Sequence, residues 1–133
     1  MPAEAINPEG WAAPKGYNNG MILSGQRLLC VAGQIAWNAQ QELVGKGDFP
    51  AQFRQALLNV LAVVEAGGGG AADIGKLTIY VTDKHAYLAS IKDVGAAYRD
   101  VLGKNFPAMA LVQVADLLEE GAMVEIEALA MLE

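Results

Sequence analysis

Few side chains in this chain could do chemistry on a bound molecule. Glu125 and Glu127 alternate within Val124-Glu125-Ile126-Glu127-Ala128-Leu129-Ala130, and in an extended strand they share one face about 7 Å apart. A carboxylate within hydrogen-bond reach of water can take a proton and return it, yet two carboxylates at this spacing do not by themselves establish that chemistry. Cys30 has no Lys, Arg or His beside it to lower its thiol pKa, so it is read as a small buried strand residue. His85 follows Lys84 at an expected helix start and is read as solvent-exposed; a lone His without a second ligand cluster argues against a metal site. The run Gly67 to Gly70 lacks the following Lys-Ser/Thr of a phosphate cradle.

These groups need a scaffold, and the patterning supplies one. Residues 1–16, with Pro2, Pro8, Pro14 and Gly16, read as an irregular lead-in. Met21-Ile22-Leu23 and Leu28 to Ile35 read as a β-hairpin turning at Ser24-Gly25. Asp48 and Pro50 mark a helix start, and Phe53, Leu57, Val60, Leu61 and Val64 recur at helical spacing until four glycines stop it. Ile74 to Val81 is the next strand. Asp83 is the expected N-cap of a second helix with the face Tyr87, Ile91, Val94, Tyr98 and Leu102. Ala108 to Ala115 and Met123 to Leu132 are the last two strands. The order β-β-α-β-α-β-β predicts an α+β two-layer sandwich with both helices on one face of the sheet. In the last strand Val124, Ile126, Ala128 and Ala130 point one way, under the helices. Met123, Glu125, Glu127, Leu129 and Met131 point the other way. That second face mixes carboxylates with large apolar groups, which predicts cover by another subunit.

Composition narrows the function classes. A chain of 133 residues, 53% apolar and 18% charged, is expected to form one globular domain over 1–133. No apolar run approaches the roughly 20 residues of a membrane span. The start, Met1-Pro2-Ala3-Glu4-Ala5, lacks the features of a signal peptide, and a single cysteine fits a reducing compartment, so a cytoplasmic location is expected. The net charge is −6, and the nine Lys and Arg residues are scattered without a cluster of three. Nucleic-acid affinity rests on displacing counterions from phosphates with basic stripes, so no nucleic-acid partner is expected.

Several motifs in order resemble the RidA/YjgF family of enamine/imine deaminases. Ala32-Gly33-Gln34 is similar to the family's Ser-Gly-Gln. Gln52-Phe53-Arg54-Gln55-Ala56-Leu57-Leu58-Asn59 is similar to its Gln-x-Arg-Gln-Ala-Leu-x-Asn helix. Gly67-Gly68 and Ile74 to Asp83 resemble the stretch leading to the second helix. Phe106-Pro107-Ala108-Met109 with Val124 to Ala130 resembles the C-terminal signature, where the family has Pro-Ala-Arg. The resemblance implies a chorismate-mutase-like sandwich, a homotrimer with ligand clefts at subunit interfaces, and no metal or organic cofactor. It implies that Glu125 positions the water attacking the imine carbon, that Gly33 lines the cleft through its backbone, and that Tyr17 lies near it. Two polar contacts have become apolar: Ala32 stands for the family's Ser, and Met109 for the Arg that grips the substrate carboxylate. Met cannot imitate a bidentate Arg–carboxylate contact. Met109 is therefore read as lining a pocket, with Leu111 beside it, and if both faced Glu125 they would raise its pKa by burial.

Two functions remain open. One is hydrolytic deamination of a small enamine or imine other than the serine- and threonine-derived ones, an aminomuconate-type intermediate being one candidate class. The other is a non-catalytic homotrimer binding a small apolar or aromatic metabolite, in which Glu125 is an interface carboxylate. Trp37 either walls the cleft or packs at an interface. Some proteins of this family carry a ribonuclease label; the acidic charge balance argues against RNA as substrate here.

Overall fold

The computed structural model describes residues 3–133; Met1 and Pro2, the first residues of the expected lead-in, lie outside that range. The elements are β1 (Glu4–Ile6), β2 (Gly20–Ile22), β3 (Arg27–Gln34), α1 (Phe49–Ala66), β4 (Ile74–Val81), α2 (Lys84–Ala89), α3 (Ile91–Leu102), β5 (Ala108–Gln113) and β6 (Val124–Leu132). The main sheet has the order β3-β6-β4-β5, with β4 and β5 parallel and the other pairs antiparallel. α1 lies across β3 and β6 and packs on α3, so the helices cover one face, as the two-layer reading requires. The alternation in β6 carries that arrangement. Val124, Ile126, Ala128, Ala130 and Leu132 are buried under the helices, while Glu125, Glu127, Leu129 and Met131 stay half-buried on the open face.

α1 starts where the sequence indicates, because the Asp48 carboxylate accepts from the Ala51 N–H at 3.2 Å and Pro50 sits in the first turn. Phe53, Leu57, Val60 and Val64 are buried at 0–2% exposure, and each such side chain contributes about 1.5–3 kcal/mol by leaving water. The helix ends at Ala66, where the amides of Gly67 and Gly69 close back on Val63 and Val64 carbonyls.

Four local expectations are corrected. The lead-in is not wholly irregular: Glu4–Ile6 pairs antiparallel with Gly20–Ile22 as a separate two-stranded sheet. The hairpin through Ser24-Gly25 does not form, and β2 pairs with β1 while β3 pairs with β6. The Ser24-Gly25 segment instead runs against the end of β6: the Gln26 amide donates to the Leu132 carbonyl at 3.0 Å, and a Cβ on Gly25 would lie 2.6 Å from Met131 Cγ. The second helix is broken in two at Ser90. Its hydroxyl donates to the Ala86 carbonyl at 2.7 Å, taking the acceptor a continuing helix would give to the Ser90 amide, which turns to Tyr87 instead. Cys30 is also exposed on the open sheet face, because the β3–β6 register sets it opposite Leu129 and not beneath the helices.

Candidate active site

The carboxylate of Glu125 lies on the backbone of Gly33. β3 and β6 pair regularly to Val31 and again at Gln34, and the bulge between them holds Ala32 and Gly33. A Cβ built on Gly33 would overlap Glu125 Oε2 and stand 2.8 Å from its Cδ. Only glycine admits the carboxylate this closely. Both residues line a cleft of about 370 Å³, with Gln34, Trp37, Leu118 and Glu119 among its walls. Trp37 thus stands at the cleft wall, and its indole N–H is buried without a hydrogen-bond partner among the described residues. The exposed Ala32 is adjacent in the bulge, its carbonyl accepting from the Gln34 side-chain Nε2 at 3.1 Å.

The two strand carboxylates differ in their surroundings. Glu127 accepts from the Tyr80 hydroxyl at 3.3 Å. Partial desolvation, then the charges of Glu127 and Glu125, push the Tyr80 hydroxyl above its ordinary pKa. The side chain of Glu125 has no hydrogen bond or ion pair among the described residues, which leaves both of its oxygens for water or a ligand. Tyr80 was not singled out from the sequence. Alternation within β4 puts it on the open face, but its pairing with Glu125 depends on a long-range register.

The motif on α1 holds the cleft walls. Gln52, fully buried, donates to the carbonyls of Gly45 (3.3 Å) and Gly121 (3.0 Å) and accepts from the Met123 amide at 2.8 Å. Asn59 donates to the carbonyls of Ile35 and Trp37 at 3.0 and 2.8 Å, and Gln55 donates to Asn59 Oδ1 at 2.9 Å. One helix face thereby fixes both the loop carrying Trp37 and the turn carrying Leu118 and Glu119. These polar residues are positioning groups.

Tyr17, Met109 and Leu111 sit elsewhere. Met109 is paired with Leu77 and Leu111 with Ile79, residues of the helix-covered face, whereas Glu125 is paired with Tyr80 on the open face. Within one chain the condition that Met109 and Leu111 face Glu125 is not met. They line a second cavity of about 520 Å³ between β5, α3 and the N-terminal segment, together with Tyr17. Asn18 places Tyr17 there: its amide donates to the Pro107 carbonyl at 3.1 Å and its side chain to the Phe106 carbonyl, tying the segment to the start of β5. The two cavities share no lining residue. His85 is exposed at the start of α2, as expected.

A sequence model of the endoribonuclease L-PSP family matches residues 9–132. The chain belongs to that family, the RidA/YjgF family. It is 35% identical over 127 residues to a RutC family protein of Pyrococcus horikoshii, covering 96% of both chains. It is 37% identical over 103 residues to a 2-iminobutanoate/2-iminopropanoate deaminase of Escherichia coli strain K12, covering 77% of this chain and 78% of the relative. A Rid-family protein of unknown function, YyfB from Yersinia pestis, superposes with a TM-score of 0.86 at 37% identity, covering 99% of this chain and 100% of the other. No helix among the described residues of this RidA/YjgF member is long and apolar enough to cross a membrane. Its sheet, helices and Gly33–Glu125 contact form a scaffold in which the Glu125 carboxylate, unpartnered among the described residues, faces an open cleft.

Proposed function

We propose that the protein is a hydrolytic deaminase of a small enamine or imine other than the serine- and threonine-derived ones, acting as one domain in the cytoplasm without a metal or organic cofactor. An enamine first tautomerises to its imine. Glu125 then takes a proton from water as the oxygen bonds to the imine carbon and returns it to nitrogen, giving a carbinolamine. It next takes the hydroxyl proton and passes it to nitrogen as the C–N bond breaks, so that imine and water become carbonyl and ammonia. The observation that carries this reading is the Glu125 carboxylate, seated on the Gly33 bulge with no group among the described residues claiming its oxygens. The named activity of the Escherichia coli relative supports the reaction class.

The active assembly is a closed ring of three copies. β3 and β5 are the two edges of the sheet, with Gly33 near one and Met109 and Leu111 on the other. A head-to-tail contact joins unlike edges and forms a ring when its rotation closes. Such a contact brings the Gly33–Glu125 cleft of one copy towards the Tyr17–Met109 cavity of the next. The family resemblance supplies the number three. Light scattering should give about three times the chain mass of 14.0 kDa; a one-chain mass would remove the shared site. Replacement of two polar contacts by Ala32 and Met109 favours a second reading, a non-catalytic trimer that binds an apolar metabolite. Glu125→Gln separates the two. Deamination predicts an intact trimer with ammonia release lowered by roughly 10²- to 10⁴-fold, while Glu127→Gln has a far smaller effect. Unchanged release from an intact Glu125→Gln trimer would leave the binding protein standing.

A further inference from the structure

The cavity under Tyr17 carries charge of one sign only. In a chain of net charge −6, no carboxylate lines it, and its two charged residues are Lys15 and Arg99. Neither side chain makes a hydrogen bond or ion pair among the described residues, whereas Arg54 is spent on Asp100 at 2.9 Å. The remaining walls are apolar or aromatic: Phe53, Ile79, Val94, Phe106, Met109 and Leu111 supply most of them. α3 is shaped to leave this space open. Gly95 lies within α3 at a cost of about 1 kcal/mol relative to alanine, and a Cβ there would stand 3.4 Å from Arg99 Nη1, so the guanidinium lies back over the glycine beside the cavity. Two cations with no partner among the described residues, beside a cavity of about 520 Å³ with mainly apolar walls, form an amphipathic site within the size range of small-molecule pockets.

We infer that Lys15 and Arg99 bind the carboxylate of an organic acid whose apolar or aromatic body lies along Met109 and Leu111. The inference deepens the proposed deaminase reading. Recognition of the anion has moved from the strand position now held by Met109 to the cavity rim. A carboxylate held at the rim leaves the reacting carbon to be carried by the far part of the molecule. The substrate class is therefore an imine or enamine with an apolar body between the reacting carbon and the acid group. Met109 fits that body because an unbranched thioether adapts to irregular apolar surfaces.

The test uses unreactive probes, so binding is read apart from catalysis. 4-Phenylbutyrate and its neutral analogue 4-phenylbutanamide are titrated calorimetrically into the assembled protein at low salt. The acid should bind at least about 10-fold more tightly than the amide, as a charge-assisted contact implies. Lys15→Gln/Arg99→Gln should erase that preference while leaving the circular dichroism unchanged, since both side chains are exposed. Arg27→Gln, at a residue whose Nε donates to the Glu133 carbonyl away from the cavity, should retain it. Equal affinity for acid and amide, no binding of either, a preference surviving in the double variant, or one lost equally in Arg27→Gln would each overturn the assignment. Neither probe reacts, so a failure of the deaminase chemistry shows in ammonia release and leaves the acid-over-amide preference in this titration standing.

Discussion

Gly33→Ala isolates the contact on which the proposed chemistry depends. Gly33 does not occupy a left-handed backbone conformation, so alanine introduces no dihedral strain, and the effect comes from one methyl group. That methyl would lie 2.8 Å from Glu125 Cδ and 3.0 Å from Cγ, against about 3.5–4.0 Å for relaxed carbon contacts. The Glu125 side chain must retreat by roughly 1 Å. It is half-buried beside an open cleft and has room to rotate. An off-rotamer side chain costs about 0.5–1.5 kcal/mol, which lowers Tm by roughly 2–7 °C for a chain of this length. A 1 Å misplacement of a reacting group costs on the order of 10²-fold in rate. The substitution should therefore reduce turnover far more than stability. The assay couples ammonia release to a dehydrogenase over a panel of 2-imino acids and aminomuconate-type enamines, with calorimetric melting on the same samples. In a Glu125→Gln background the rate penalty of Gly33→Ala should vanish, because both changes disable one group. In a Glu125→Ala background the stability penalty should vanish, because the clash is gone. Gly33→Ala with wild-type turnover would refute the reasoning.

Without a guanidinium at Met109, imines from serine and threonine should be turned over about 10- to 150-fold more slowly than by an Arg-containing relative, the worth of a charge-assisted pair; Met109→Arg should recover part of that rate in a side-by-side ammonia assay. Gln52→Leu strips the partners from the Gly45 and Gly121 carbonyls and the Met123 amide, which should cost about 2–4 kcal/mol and be read as a lower urea midpoint, with weaker ligand binding because both cleft walls loosen. Burial raises the Tyr98 hydroxyl far above its ordinary value of 10.0. The unfolded chain then ionises first, so the tyrosine's contribution is complete below pH 10 and is lost as pH climbs above it. Tyr98→Phe should lower stability at neutral pH by about 1 kcal/mol, the bond to the Asn105 carbonyl being lost, and should flatten the alkaline limb of a stability–pH curve.

Elements set by local periodicity were legible in the sequence. α1, β4 and the two-faced pattern of β6 follow from apolar spacing and caps, and they define the layers. Features set by long-range approach were not. The Ser24-Gly25 turn reads as a hairpin because its residues suit one, yet Gly25 is small so that the chain can pass the end of β6. Ser90 breaks the second helix through a single side-chain bond that periodicity does not register. Family motifs mark Glu125 and Gly33 separately as cleft residues, but the contact between them is not legible in a sequence that sets them 92 positions apart. The separation of Met109 and Leu111 from Glu125 depends on register: alternation assigns faces within a strand, but only the β4 pairings show which face of β5 matches which face of β6. The role of Gln52, Gln55 and Asn59 as props for the cleft loops likewise became visible only when α1 was set against those loops.

The central claim is that one copy's Glu125 and the next copy's Met109 serve a single bound molecule. A crystal structure of the assembled Glu125→Gln protein soaked with 4-phenylbutyrate tests it most directly. The account predicts the phenyl body along Met109 and Leu111 of one copy, within van der Waals reach of Gly33 and the substituted side chain of its neighbour. A molecule held entirely within one copy, or Gly33 and Met109 of adjacent copies facing separate pockets, would contradict it.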